Sequence, residues 1–147
     1  MKITVLCVGK IKEKYMVSAI DDYEKRLSHY CKIEIIEVNE EYTIEKEAAS
    51  LIKRIPDGSM VIALDLKGIK ITSPGLAEYI EKSTVEGTSA FTFVIGGSLG
   101  LDKSILQKSY MSLCLSDMTF THQMARLLIL EQLYRAMKIN SGETYHK

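Results

Sequence analysis

The amino-acid sequence predicts an α/β sandwich built on a mostly parallel sheet. Five short apolar runs rich in β-branched residues alternate with segments whose apolar residues recur every three or four positions. Such alternation is typical of parallel sheets that carry helices on both faces. Neither an internal repeat nor a linker interrupts the 147 residues, so we expect one domain, residues 1–147.

The predicted strands are apolar runs that end at glycine or at polar residues. Gly9 closes the first run, Asp65 ends the third, and a glycine-rich segment, residues 96–100, follows the fourth. The strands are expected at residues 3–8, 33–38, 60–64, 91–95 and 111–115.

The predicted helices have apolar residues at helical spacing and begin at residues suited to a helix start. Thr43, Asp102 and Thr121 can each cap a helix N-terminus, and Pro74 is expected at the first position of its helix. The helices are expected at residues 13–30, 44–54, 73–86, a short segment after 102, and 122–138.

Composition bears on the partners and the compartment expected of the protein. The 19 basic and 19 acidic side chains cancel, so any RNA-binding surface has to be a local patch. The three cysteines lie far apart without CxxC spacing, which predicts no metal site and is typical of a reducing compartment. No apolar run approaches the length of a membrane span, and no secretory signal is recognisable. We therefore expect a cytoplasmic protein with no membrane partner.

Three loops follow predicted strands at residues 64–68, 96–101 and 116–121. Ligands of parallel sheets bind beyond the carboxyl ends of the strands, so we expect a ligand there. The glycine-rich loop matches neither GxGxxG nor GxxxxGK[ST]. Two interpretations of it stay open, a turn that needs positive φ and a close approach of the backbone to a ligand.

The last predicted helix is apolar nearly all round. Its polar stripe consists of Glu131, Arg135 and Lys138, and the first two form an i,i+4 pair in the favourable order. Such a helix needs partners on several sides, which predicts packing on the sheet and against a second subunit in a symmetric dimer. Arg126 lies off the polar stripe, so we expect a buried or interfacial partner for its charge.

Several polar residues are candidates for chemistry, each beside a plainer interpretation. His122 at a helix start can act as a base or hydrogen-bond acceptor, or it is a polar residue near a cap. The tail, residues 145–147, can stack on a base and pair with phosphate, or it is a frayed end. Further candidates are the lysines that could hold RNA backbone and a carboxylate that could bind a ribose: Lys10, Lys12, Lys14 and Asp65.

Several separated motifs resemble the ribosomal large-subunit methyltransferase H family. The longer ones are residues 94–101 (VIGGSLGL), 118–126 (MTFTHQMAR), 131–136 (EQLYRA) and 142–147 (GETYHK). Shorter matches are residues 8–10 (VGK), 23–27 (YEKRL) and 63–65 (ALD). The motifs agree in order along the whole chain. Thr121 and Thr144 stand where the family usually has proline; since threonine can cap a helix, we expect the first of these loops to persist.

The resemblance implies a SPOUT-type fold with a C-terminal trefoil knot, acting as a homodimer. It implies that S-adenosylmethionine is the cofactor and that N3 of pseudouridine 1915 in 23S rRNA is methylated. The cofactor-binding residues implied for this chain are Leu64, Gly97, Ser116, Asp117, Met118, Thr119, Phe120 and Thr121.

A mechanism follows as a hypothesis. His122 or His146 assists removal of the N3 proton, Arg126 steadies the cofactor loop or the substrate, and Tyr145 closes over the cofactor from the other subunit. Because the net charge is zero, we expect recognition of the assembled ribosome rather than free rRNA. The alternatives are a non-catalytic ribosome-docking protein of the same fold and methylation of another RNA such as tRNA.

Overall fold

A computed structural model describes residues 1–145 of the chain. Its strands are β1 (Lys2–Val8), β2 (Lys32–Val38), β3 (Met60–Ile69), β4 (Ala90–Ile95) and β5 (Met111–Leu113). Its helices are α1 (Lys14–Leu27), α2 (Ile44–Arg54), α3 (Ser73–Val85), α4 (Lys103–Lys108) and α5 (His122–Asn140). Every predicted strand and helix is present, which confirms the alternation read from the sequence.

The five strands form one sheet in the order β2-β1-β4-β3-β5. All four neighbouring pairs are parallel, so the predicted α/β class is confirmed. Because the strands run the same way, their carboxyl ends share one edge, and the loops that follow them lie side by side. The trefoil knot that the resemblance implies stays a prediction.

Each face of the sheet buries its own hydrophobic core. One core packs α1, α3 and α5 against the sheet through residues such as Ile20, Ile80 and Ile129. The other packs α2 and α4 through Leu51 and Ile105. Successive residues of β1 alternate between the two cores, as the pleat of a strand requires. Burial raises the pKa of the Cys7 thiol on β1 to about 12, which makes this cysteine an inert core residue.

The helix starts follow the predicted caps. Thr43, Asp102 and Thr121 each accept a hydrogen bond from a backbone N–H in the first turn of the helix that follows. Thr72 caps α3 in the same way, so Ser73 is the first helical residue and Pro74 the second. The predicted first position for Pro74 is therefore wrong by one residue. No helix among residues 1–145 is long and apolar enough to cross a bilayer.

Strand β3 is longer than predicted. Beyond Leu64 its register shifts, and both Leu64 and Ile69 pair with Leu113 of β5. The intervening residues, 65–68, leave the ladder with β5, and the backbone N–H of Cys114 donates to the carbonyl oxygen of Ile69 at 2.8 Å. A Cβ at Gly68 would lie 2.5 Å from the Ser112 carbonyl oxygen, so only glycine allows this close approach.

Candidate active site

A cleft of about 480 Å³ opens at the carboxyl ends of β3, β4 and β5, against the first turn of α5. All three loops predicted to bind a ligand contribute to its wall. Of the predicted cofactor-binding residues, the cleft is lined by Leu64, Gly97, Ser116, Met118, Thr119, Phe120 and Thr121. Asp117 lies outside this lining, where its carboxylate pairs with Lys70 at 2.5 Å. The cleft has the volume of a site for a small organic molecule, which is roughly 300–1,000 Å³.

The glycine-rich loop contains the predicted turn with positive φ, whereas the close approach of its backbone to a ligand stays a prediction. Gly100 has a φ of 80°, and its N–H donates to the carbonyl oxygen of Gly97 at 3.0 Å, so it closes a turn. Gly96 has no room for a Cβ, which would overlap the carbonyl of Gly100. At Gly97 a Cβ would lie 3.0 Å from Cγ1 of Val8. The loop is therefore packed tightly on β1 while its other side faces the cleft.

A buried carboxylate lies behind this loop. Glu47 of α2 is 3 % exposed, and its Oε2 accepts from the Glu41 backbone N–H at 3.1 Å. Its Oε1 has no hydrogen-bond partner and lies 3.9 Å from the position that a Cβ at Gly97 would take. The bond to Glu41 fixes the loop between β2 and α2. The sequence does not distinguish Glu47 as a buried residue, because a glutamate in the first helical turn is ordinary on a surface.

The loop at residues 116–121 forms the opposite wall. Ser116 Oγ accepts from the Met118 backbone N–H at 3.1 Å, and Thr121 Oγ1 accepts from Met124 N–H at 3.2 Å. These bonds hold the loop at both ends without proline at position 121. The apolar side chains of Met118 and Phe120 are left exposed beside the cleft. Such exposed apolar groups are typical of surfaces that a ligand or a partner covers.

His122 reaches the cleft from the first turn of α5. Its Nε2 lies 3.9 Å from Oε1 of Glu40, which stands in the loop after β2. Glu40 was missed in the sequence analysis. The loop after β2 meets the same edge of the sheet as the other three loops. The expectation that ligands bind beyond the carboxyl ends of strands, applied to β2 as well, would have pointed to Glu40.

Arg126 is buried and paired, as its position on α5 predicts. One terminal guanidinium nitrogen donates to Glu37 Oε2 at 2.5 Å, and the other donates to the Gly9 carbonyl oxygen at 2.9 Å. The side chain is 2 % exposed, and its Nε has no partner. Arg126 does not line the cleft. In this chain it ties α5 to the ends of β1 and β2, and its predicted contact with the cofactor loop or the substrate stays a prediction.

Tyr145, the first residue of the tail, packs on α5 and does not line the cleft of its own chain. The ring of Tyr145 packs edge-on against Tyr134 at 5.0 Å, and its hydroxyl donates to Glu131 at 3.2 Å. Burial, the first of several causes, raises the pKa of Tyr145 to about 12. Glu131 also holds the predicted partner Arg135 at 2.8 Å. The other predicted tail residues, His146 and Lys147, lie outside the described residues.

The separation of Tyr145 from His122 follows from the length of α5 between them. Glu131, which binds Tyr145, stands nine residues beyond His122 in the same helix. At 1.5 Å of rise per residue, this separation is about 14 Å. Tyr145 and His122 therefore do not meet within one chain. Among residues 1–145, no group of three His, Cys, Asp or Glu side chains could hold a metal ion.

Relatives with high sequence identity cover the whole chain. Ribosomal RNA large subunit methyltransferase H of Acetivibrio thermocellus is 48 % identical over 159 aligned positions, with 100 % of both chains covered. Ribosomal RNA large subunit methyltransferase H 1 of Clostridium perfringens is 50 % identical over the same span, again with 100 % of both chains covered.

Solved structures share the fold at low identity. A probable methylase family protein of Haemophilus influenzae has a TM-score of 0.59 and 16 % identity, with 99 % of this chain and 70 % of that chain covered. The SpoU methyltransferase AviRb of Streptomyces viridochromogenes, in complex with AdoMet, has a TM-score of 0.51 and 11 % identity, with 95 % and 58 % covered. The family described as predicted SPOUT methyltransferase matches residues 1–146. Together with the full-length relatives, this match shows that the chain belongs to the SPOUT methyltransferases and, within them, to the ribosomal RNA large subunit methyltransferase H family.

Proposed function

We propose that this protein uses S-adenosylmethionine to methylate N3 of pseudouridine 1915 in 23S rRNA, on assembled ribosomes in the cytoplasm. The observation that carries the proposal is the cleft, in which the loops after β3, β4 and β5 converge on His122. The names of the full-length relatives support a large-subunit rRNA substrate. The equal numbers of acidic and basic residues favour a structured ribosomal surface over free RNA, which is bound mainly through its phosphates.

Different residues of the cleft have different roles in methyl transfer. Bound S-adenosylmethionine supplies an electrophilic methyl group on a sulfonium. The backbone of Gly97 lines the cleft, and Leu64 and Phe120 exclude water from it. Methylation of N3 would require that the N3 proton be removed. His122 takes this proton directly or through water, and His146 is the other candidate base.

The active enzyme in this proposal is a homodimer with composite sites. Tyr145 bonds to Glu131, about 14 Å along α5 from His122, so it would reach the base of a cleft only in a second copy of the chain. Exposed apolar side chains near the cleft provide a surface for that copy: Leu66, Leu99, Met118, Phe120 and Met124. In a twofold-symmetric pair, each tail would serve the other subunit's cleft.

The test is transfer of labelled methyl from S-adenosylmethionine to ribosomes purified from a strain that lacks this enzyme. We expect label on N3 of the pseudouridine after nucleotide mapping. Label on another RNA, such as tRNA, would overturn the substrate assignment. A protein that docks on ribosomes yet binds no cofactor by calorimetry would contradict the enzymatic function itself.

Mixing two inactive variants tests the composite site. Gly96→Ala disables the cleft and Tyr145→Ala disables the tail, so each homodimer is expected to be inactive. A heterodimer keeps one intact cleft served by one intact tail. Random pairing of co-expressed chains makes half of the dimers mixed, and activity should return to about a quarter of wild type. Co-expression without any recovery would show that tail and cleft do not act across subunits.

A further inference from the structure

A second cleft, of about 440 Å³, lies at the carboxyl ends of β1 and β2. The loop after β1 lines it with Lys10 and Lys12, and the loop after β2 lines it with Asn39 and Glu40. Gln123 of α5 closes it on the remaining side. Lys14, the third lysine of the predicted phosphate-binding cluster, is not part of this lining.

The second cleft adjoins the cofactor cleft. Gln123 lines both, and Glu40 of the second cleft lies 3.9 Å from His122 of the first. The strand order explains this arrangement, because β2 and β1 form one half of the sheet edge while β4, β3 and β5 form the other. A group held in the second cleft therefore lies beside the position from which a methyl group is transferred.

The charges of the second cleft suit a nucleotide within an RNA strand. Glu37 is neutralised by Arg126, whereas the side chain of Glu40 is 63 % exposed, lies 3.9 Å from His122 and forms no other ion pair among residues 1–145. Glu40 is thus free to accept a hydrogen bond from a ring N–H. The amides of Asn39 and Gln123 can pair with the carbonyl and N–H groups of a base. The exposed ammonium groups of Lys10 and Lys12 can contact flanking phosphates.

We propose that the second cleft binds the nucleotide to be methylated and that Glu40 selects pseudouridine over uridine by accepting the N1–H of its ring. This inference rests on the proposed function. In pseudouridine the glycosidic bond is to carbon, so N1 carries a hydrogen that uridine lacks. Since N3 has to face the cofactor cleft for transfer, N1–H is the remaining ring donor, and Glu40 is the carboxylate of the second cleft that lies beside His122.

The experiment compares Glu40→Ala with Glu41→Ala. Glu41 is the adjacent exposed glutamate, and its side chain lines neither cleft. Methyl transfer is measured on ribosomes that carry pseudouridine at the target and on ribosomes that carry uridine there. We expect Glu40→Ala to lower kcat/KM on pseudouridine by at least about tenfold, as for the loss of a hydrogen bond to a charged group. We expect a much smaller fall on uridine, so that the preference for pseudouridine over uridine drops, with unchanged affinity for S-adenosylmethionine.

A second variant, Lys12→Ala, tests the phosphate contact. It should raise KM for both kinds of ribosome equally and weaken the salt dependence of binding, because a phosphate contact carries no base information. If wild type is active and Glu40→Ala matches Glu41→Ala on both substrates, the second cleft does not read the base and the inference fails. If wild type transfers no methyl to either kind of ribosome, the proposed function fails, and this inference fails with it.

Discussion

Alanine at position 96 is expected to lower affinity for S-adenosylmethionine by more than about 100-fold, as the misplacement of a binding group by roughly 1 Å can do. The added Cβ would overlap the carbonyl oxygen of Gly100 and would lie 2.7 Å from the carbonyl carbon of Gly100. Both atoms belong to the backbone of a loop that lines the cleft, so relief of the overlap has to move the loop. Isothermal calorimetry measures the loss directly.

The matched control is Gly75→Ala in the first turn of α3. There the new Cβ would meet side-chain atoms alone, the closest being Thr72 Oγ1 at 3.2 Å, and no positive φ is required. We expect this variant to bind the cofactor like wild type. Equal cofactor affinity of Gly96→Ala and wild type would show that the glycine-rich loop does not shape the cofactor site.

Replacing Arg126 by methionine is expected to destabilise the fold by about 3 kcal/mol, near the lower end of the range for breaking a buried ion pair. The change leaves the carboxylate of Glu37 and the carbonyl of Gly9 without their guanidinium partner. The lower end applies because the Glu37 side chain keeps 33 % of its surface in water. Urea unfolding followed by circular dichroism measures the change in the free energy of unfolding.

The double variant Arg126→Met with Glu37→Leu separates two contributions to the lost free energy of unfolding, that of the unpaired carboxylate and that of the lost packing. We expect it to recover a large part of the stability, because no charge is then left without its partner. Should Arg126→Met unfold like wild type yet transfer methyl far more slowly, Arg126 would act on the ligand and not as a tie between α5 and the sheet.

Local sequence signals were sufficient for most of the fold. Each predicted cap is a side chain that bonds within its own first turn, so Thr43, Asp102 and Thr121 could be recognised without any tertiary information. The end of β3 was different. Its last residue, Ile69, joins the sheet only through β5, and that contact depends on a segment more than 40 residues away in sequence.

The candidate site shows the same division. The prediction that the loops after β3, β4 and β5 meet at one cleft is confirmed, because a parallel sheet brings the ends of its strands to one edge. The partners of the charged residues could not be predicted, since Arg126 meets Glu37 across 89 positions of sequence. Tyr145 is a related case, because its bond to Glu131 depends on the path of the chain after α5.

Helix α5 carries two sites on one rigid body, with His122 at its start and the contacts of Tyr145 more than two turns later. Inserting one residue between them would rotate the later contacts by about 100° and advance them by about 1.5 Å. The relatives align over 159 positions, more than the 147 residues of this chain, so the family tolerates changes in length. We expect those changes in length to lie in loops and the number of residues between His122 and Glu131 to be conserved. This interval fixes the direction in which the contacts of Tyr145 lie around α5 relative to His122.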